Sequence, residues 1–182
     1  MQRRVLIAGV AATSILGAAM SDAADLENTI YLDLKDGRVV IQLLPELAPK
    51  HVARVKELAR KGFYDGTPFH RVIEGFMAQG GDPTGTGTGG STLGTLPAEF
   101  SNTRHFLRGT VGAARTNDPN SADSQFYIMF APAPHLDGKY SIWGQVISGM
   151  EFVDNIKRGG GNGLVSGPDK IVHFRVAADV KN

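Results

Sequence analysis

Short apolar runs of β type recur along this chain, each closed off by Gly, Pro, Asn or Asp, and that rhythm leaves few folds open. Thr29 to Leu34 and Arg38 to Leu43 alternate apolar with polar residues on either side of Asp36-Gly37. Asp-Gly tolerates the positive φ that hairpin turns require, so the domain is expected to open on a β-hairpin. Further strands are expected over Phe69 to Gln79, Gly109 to Ala114, Ser124 to Phe130, Ser141 to Val146 and Ile171 to Ala177. Two stretches break the pattern. LAPKHVARVKELARKG carries Pro49 where a first helical turn accepts it, Val52, Val55 and Leu58 near helical spacing, and Gly62 as a stop. MEFVDNIKRGG, residues 150–160, reads as a second, short helix. Many short strands with irregular connections and two helices predict a mainly β fold closed into a barrel, since closure removes the edges an open sheet would expose. The chain has no cysteine, so packing alone must hold it.

The N-terminus MQRRVLIAGVAATSILGAAMSDAAD sets Arg3 and Arg4 before an apolar run from Val5 to Met20 and then small residues, the pattern of a secretory signal with Ser21-Asp22-Ala23 as one cleavage option. The 16 residues of that run fall short of the roughly 20 that span a bilayer, and they include Gly9, Ser14 and Gly17. The expected organisation is a signal peptide over residues 1–23 and a single domain over 24–182. The mature protein is then periplasmic or secreted, and free of the membrane once the leader is cleaved. Arg3-Arg4 is also a twin arginine, which leaves the export route open. Cleavage removes Arg3, Arg4 and Asp22 and leaves 17 basic against 17 acidic residues, with no basic footprint for nucleic acid. A monomer is expected, because no charged or apolar partner surface stands out in the pattern.

Gly85, Gly87 and Gly90 spell G-x-G-x-x-G after a strand, but a dinucleotide loop must open a helix, and the continuation STLGTLPAEF holds Gly94 and Pro97 with no helical stripe. A close-packed, flexible loop lining a groove is the better reading. His51, His70, His105, His135 and His173 show no i, i+3 or i, i+4 pairing, so neither a metal nor a cofactor is expected.

FHRVIEGFMAQGGD, GTGTGGS, DSQFYIMFA and LDGKY, in that order, resemble the successive blocks of the cyclophilin family of peptidyl-prolyl cis-trans isomerases, and the likeness runs from about Thr29 to Val176. The resemblance implies a closed eight-stranded antiparallel β-barrel capped by two α-helices, here in a bacterial, exported member. It also implies an outer groove that binds proline-containing polypeptides and rotates X-Pro bonds, assisting the folding of other exported proteins. The position matching the family's catalytic arginine is Arg71. Those matching the groove are Phe76, Met77, Gln79, Ala114, Arg115, Gln125, Tyr127, His135, Leu136 and Tyr140, with His70 as a neighbour. Taken singly, Arg71 would read as a surface ion-pair partner, His70 as a satisfied histidine at a sheet margin, and the apolar residues as core. The ordered blocks are what favour the groove. Three positions depart from the family. His135 stands where the animal members most sensitive to cyclosporin carry tryptophan, which argues against drug binding while turnover need not suffer. Tyr127 replaces the pocket-floor phenylalanine, so its hydroxyl must lie beside the proline ring or turn toward water. Tyr140 replaces a frequent histidine.

Within an extended strand alternate side chains share a face, so Arg71, Met77 and Gln79 are expected to point the same way unless Gly75 resets the parity. Gln125 and Tyr127 share a face likewise, with Phe126, Ile128 and Phe130 turned into a core. Rotation about an X-Pro bond crosses a barrier of about 18–20 kcal/mol, because the planar amide delocalises its nitrogen lone pair. Twisting returns the lone pair to nitrogen, and a donor aimed there binds the twisted state better than either planar one. Arg71 suits that task, being always protonated and rigidly forked, and Lys should substitute badly. Phe76, Met77, Tyr127 and Leu136 would grip the proline ring, while Gln79 and a backbone N–H near Arg115 hold the flanking carbonyl. A binding module or holdase on the same scaffold is the rival reading, and a nucleotide enzyme using residues 85–90 a third.

Overall fold

The structure, a computed structural model, describes residues 25–181, so the expected signal peptide and its cleavage site lie outside it. β1 (Thr29–Leu34) and β2 (Gly37–Leu43) form the expected hairpin. Leu34 pairs with Gly37, which leaves Lys35 and Asp36 as the loop and moves the turn one residue earlier than the Asp36-Gly37 reading. Gly37 is needed for packing, because a Cβ there would lie 2.5 Å from the Phe152 ring.

α1 (Pro49–Arg60) buries Val52, Val55 and Leu58 as their spacing predicts, and Gly62 follows it at φ +65°. Its N-terminus has no local side-chain cap. Glu99 supplies one from a distance, its carboxylate accepting the N–H groups of Lys50 at 3.0 Å and His51 at 3.0 Å, where the helix dipole favours negative charge.

The run from Phe69 to Gln79 is two strands rather than one. β3 (Arg71–Ile73) and β4 (Met77–Gly80) pair as a hairpin, with Gly75 at φ +68° reversing the chain and Phe76 N donating to Ile73 O at 3.0 Å. β5 (Thr110–Ala113), β6 (Phe126–Met129), β7 (Ile142–Ser148) and β8 (His173–Val176) lie inside the ranges read from sequence, save that β7 runs two residues longer. α2 (Met150–Asp154) is shorter than expected. Arg158 folds back and donates to Asp154 O at 2.7 Å and Ile156 O at 2.5 Å, consuming carbonyls a longer helix would have used.

All pairings are antiparallel, in the order β3-β4-β6-β5-β7-β2-β1-β8. The expected closed barrel is corrected on this point: the sheet curls round its core, but β8 never pairs with β3. Residues 159–171 run beside β3 as irregular chain, with Val72 N donating to Gly163 O at 2.7 Å and Phe69 N to Asp169 O at 2.9 Å. Pro168 has no N–H to give a ladder. A Cβ at Gly159 would collide with the Gly163 backbone, so the segment folds too tightly on itself to extend.

The two faces of the sheet bury different cores. Along β6, Phe126 and Ile128, with Phe130 just beyond, join the main cluster inside the curl, where Trp143, Phe69, Phe174 and Tyr64 also lie. Tyr127 and Met129 point the other way, into a second cluster with Met77, Phe106, Leu136 and Ile142. The second cluster is the floor of the candidate site. Among the described residues, no helix is long and apolar enough to cross a membrane.

Candidate active site

Arg71 and Gln79 meet because the β3–β4 hairpin sets them directly opposite each other, and not through alternation along one strand. Gln79 in turn faces Tyr127 on β6. Arg71 Nη1 donates to Gln79 Oε1 at 3.4 Å, Gln79 Nε2 to Gln125 Oε1 at 3.0 Å, and Gln125 Nε2 to the carbonyls of Gly89 at 2.8 Å and Gly87 at 3.0 Å. On its other side Arg71 Nε donates to Asn162 O at 3.3 Å. Both bonds to the guanidinium are long and neutral. Among the described residues Arg71 has no carboxylate within salt-bridge distance, so its charge is uncompensated. Gly163, at φ +84°, lets the backbone pass beneath, because a Cβ there would lie 3.2 Å from Arg71 Cγ and 2.5 Å from Ile73 Cγ1.

The arginine lines a concavity of about 340 Å³ together with Phe76, Met77, Tyr127, His135, Leu136 and Tyr140, and with Gln79, Ala114 and Arg115. Tyr127 stacks on Phe106 at 5.8 Å and meets Tyr140 edge-on at 6.0 Å. His135 lies over Phe76, ring centroids 5.6 Å apart, and so supplies an aromatic wall at the position of departure. The Tyr127 hydroxyl does not turn to water. Its oxygen is buried without a hydrogen-bond partner among the described residues, in the space that Gly112 leaves by lacking a Cβ. Burial raises the phenol's pKa far above its ordinary range, so it stays neutral.

Of the twelve residues singled out from the sequence, ten line this concavity. Gln125 and His70 do not. Gln125 lines a second concavity of about 360 Å³ that shares Gln79, Ala114 and Arg115 with the first. His70 is only 3% exposed, lies beneath the glycine loop, and has both ring nitrogens unpartnered among the described residues. Burial lowers its pKa, so the ring is neutral where it packs near Gly87.

The glycine loop opens no helix. It is organised by Asp82, fully buried, whose carboxylate accepts from Thr84 N at 2.7 Å, Thr84 Oγ1 at 2.8 Å, Gly87 N at 2.6 Å and Gly89 N at 3.2 Å. Burial opposes its ionisation, but these bonds outweigh it and hold the carboxyl below its ordinary value. Sequence reasoning passed over Asp82, Gly112 and the carbonyl of Asn162. The run of glycines after Asp82 was the one available signal, since a side chain at Gly89 would collide with the Asp82 carboxylate. A larger concavity of about 640 Å³ along α1 is lined by residues such as Lys56, Glu57 and Arg60, which pair with carboxylate or ammonium neighbours, and it gathers no comparable chemistry.

Comparison with known proteins bears on the family and the fold. The sequence pattern of the family described as "Cyclophilin type peptidyl-prolyl cis-trans isomerase/CLD" matches residues 29–176. A probable peptidyl-prolyl cis-trans isomerase of Brucella suis is 51% identical over 187 aligned positions, covering 96% of this chain and 95% of that one. Among solved structures, a cyclophilin of Hirschia baltica superposes with a TM-score of 0.78 at 29% identity, covering 94% of this chain and 83% of that one. A Cryptosporidium parvum cyclophilin-type isomerase, crystallised in the presence of the dipeptide Ala-Pro, gives 0.76 at 28% identity and covers 85% and 99%.

Proposed function

This chain belongs to the cyclophilin family and is a cyclophilin-type peptidyl-prolyl cis-trans isomerase, and from that premise we propose that it turns X-Pro bonds in the groove at Arg71 and serves the folding of exported proteins. One observation carries the assignment of the groove. A guanidinium uncompensated among the described residues, and held there only by long bonds to Gln79 and Asn162, stands at the rim of an aromatic concavity large enough for a proline ring. As the imide twists and its nitrogen regains a lone pair, that guanidinium donates to the nitrogen, and no covalent step is needed. A thousandfold acceleration asks for about 4 kcal/mol, within reach of a few well-placed hydrogen bonds. Gln79, braced by Gln125, holds the flanking carbonyl, and the Tyr127, Met77 and Leu136 floor grips the ring away from water.

NMR exchange on a short Ala-Pro peptide tests the assignment. The wild-type chain should accelerate cis-trans exchange, and Arg71→Ala should remove most of that acceleration while keeping its folded spectrum. Line shifts without exchange enhancement in the wild type would favour a holdase instead. The export role rests on the leader-like residues 1–23. Intact mass of protein recovered outside the cytoplasm should show a chain shortened near Ala23, and a full-length mass would contradict it.

A further inference from the structure

Arg115 lies where the two concavities meet, lining both. Its Nη1 donates to Thr116 O at 2.8 Å and its Nη2 to Lys139 O at 2.7 Å, while the Tyr140 ring stacks beneath at 4.2 Å. Two backbone carbonyls and an aromatic face therefore hold the fork in one orientation before any ligand arrives. None of these neighbours neutralises it: among the described residues no carboxylate lies within salt-bridge distance of Arg115. Of the five N–H donors of a guanidinium, two are used. Nε is buried and has no partner among the described residues, an arrangement that is costly unless something else compensates it.

The second concavity is otherwise polar and charge-balanced. Its single acidic residue, Asp123, is already engaged by Arg54 Nη1 at 2.5 Å, by Ser91 Oγ at 2.5 Å and by Ser91 N. Thr88, Thr116 and Ser121 add hydroxyls, and the wall shared with the first concavity is Gln79, Ala114 and Arg115. A peptide whose proline fills the first concavity must pass that wall on one flank, and among the described residues Arg115 is the one unmatched charge lining it.

Resting on the groove reading above, we infer that Arg115 is a specificity-determining residue, which makes this isomerase prefer substrates with a carboxylate side chain within two residues of the proline, on the flank that enters the second concavity. The fixed, half-buried fork pairs with an Asp or Glu at little further ordering cost and repels Lys or Arg.

The test uses peptides in which Glu, Ala or Lys is placed singly at one or two residues before or after the proline, with catalysed exchange measured by NMR. At one of these positions the wild-type chain should isomerise the Glu peptide about fivefold faster in kcat/KM than the Lys peptide at low ionic strength. The contrast should shrink as salt is raised to about 0.5 M. Arg115→Gln should bring the Glu and Lys peptides to one rate, and Arg115→Lys should retain part of the difference. Equal rates for Glu and Lys at every position in the wild type, or a contrast that survives in Arg115→Gln, would overturn the inference while leaving the groove assignment intact. The groove assignment itself fails if Arg71→Ala leaves all peptide rates unchanged.

Discussion

Gly112 sits on β5 opposite Tyr127, and the fit between them makes the sharpest stability prediction. A Cβ at Gly112 would come 2.7 Å from both Cζ and the hydroxyl oxygen of Tyr127 and 2.8 Å from Cε1 of Phe106. Ordinary carbon contacts need about 3.5–4.0 Å, so in Gly112→Ala the stacked rings must move by roughly 1 Å. The backbone of Gly112 lies outside the left-handed region, so alanine brings no backbone strain and gains at most about 1 kcal/mol through the unfolded chain. Overpacking costs about 1–3 kcal/mol, which leaves a net loss on the order of 1–2 kcal/mol. For a domain of this size that lowers Tm by about 2–8 °C. Tyr127 lines the 340 Å³ concavity, which gives its displaced ring room to yield into the site, so KM for an Ala-Pro peptide should rise as well. Thermal unfolding and exchange NMR on the one variant measure both. A Tm within about 1 °C of wild type together with unchanged kinetics would refute the reasoning, because it would mean that the floor of the site is loosely packed.

Two further outcomes follow from the same packing and electrostatics. Tyr127→Phe removes a buried hydroxyl without a partner among the described residues, and it should raise stability by about 1 kcal/mol in urea unfolding; a loss of that size would show that the hydroxyl is satisfied. His51 is buried against Glu99, with Nδ1 2.6 Å from its carboxylate, and burial pushes the imidazole below its ordinary range against the pull of Glu99. Burial opposes ionisation of Glu99 too, but hydrogen bonds from His51 and Lys50 outweigh it and keep its carboxyl low. The sign is then the same for both groups. The unfolded chain takes up a proton at its imidazole near pH 6.5 before the folded one does, so stability falls as pH drops through about 6.5, and falls again as Glu99 is protonated. Urea midpoints should decline from pH 7 to pH 5, and less steeply in His51→Gln; parallel slopes would contradict the assignment.

The sequence speaks most clearly where the physics is local. The β1–β2 hairpin and α1 follow from alternation, from Pro49 and from Gly62, each acting within a few residues. Alternation along β6 likewise separates Phe126 and Ile128 from Tyr127 and Met129. What distant chain decides is hidden. Nothing near Pro49 announces that Glu99 caps its helix, and nothing near Asp154 except Arg158 announces where α2 stops. Gly75 marks a place where parity could reset, but a single glycine within an apolar run does not say whether the chain bulges or reverses. The open seam depends on residues 159–171 lying beside β3, a long-range pairing with no pattern of its own. The blocks bearing Arg71, Gln125 and Tyr127 named most residues round the groove. They could not reveal that Gln125 braces the loop from the second concavity, or that His70 is buried beneath it.

The most direct test of the central claim separates binding from turning in Arg71→Lys. Lysine keeps the charge and the planar substrate asks little of it, so the dissociation constant of an Ala-Pro peptide should stay within about twofold of wild type. The forked donor aimed at the twisting nitrogen is lost, so bound-state exchange should fall about 10- to 100-fold, the worth of one charged hydrogen bond made in the transition state. Exchange in Arg71→Lys within about twofold of wild type would contradict the account, because a guanidinium donor would then not be what stabilises the twisted imide.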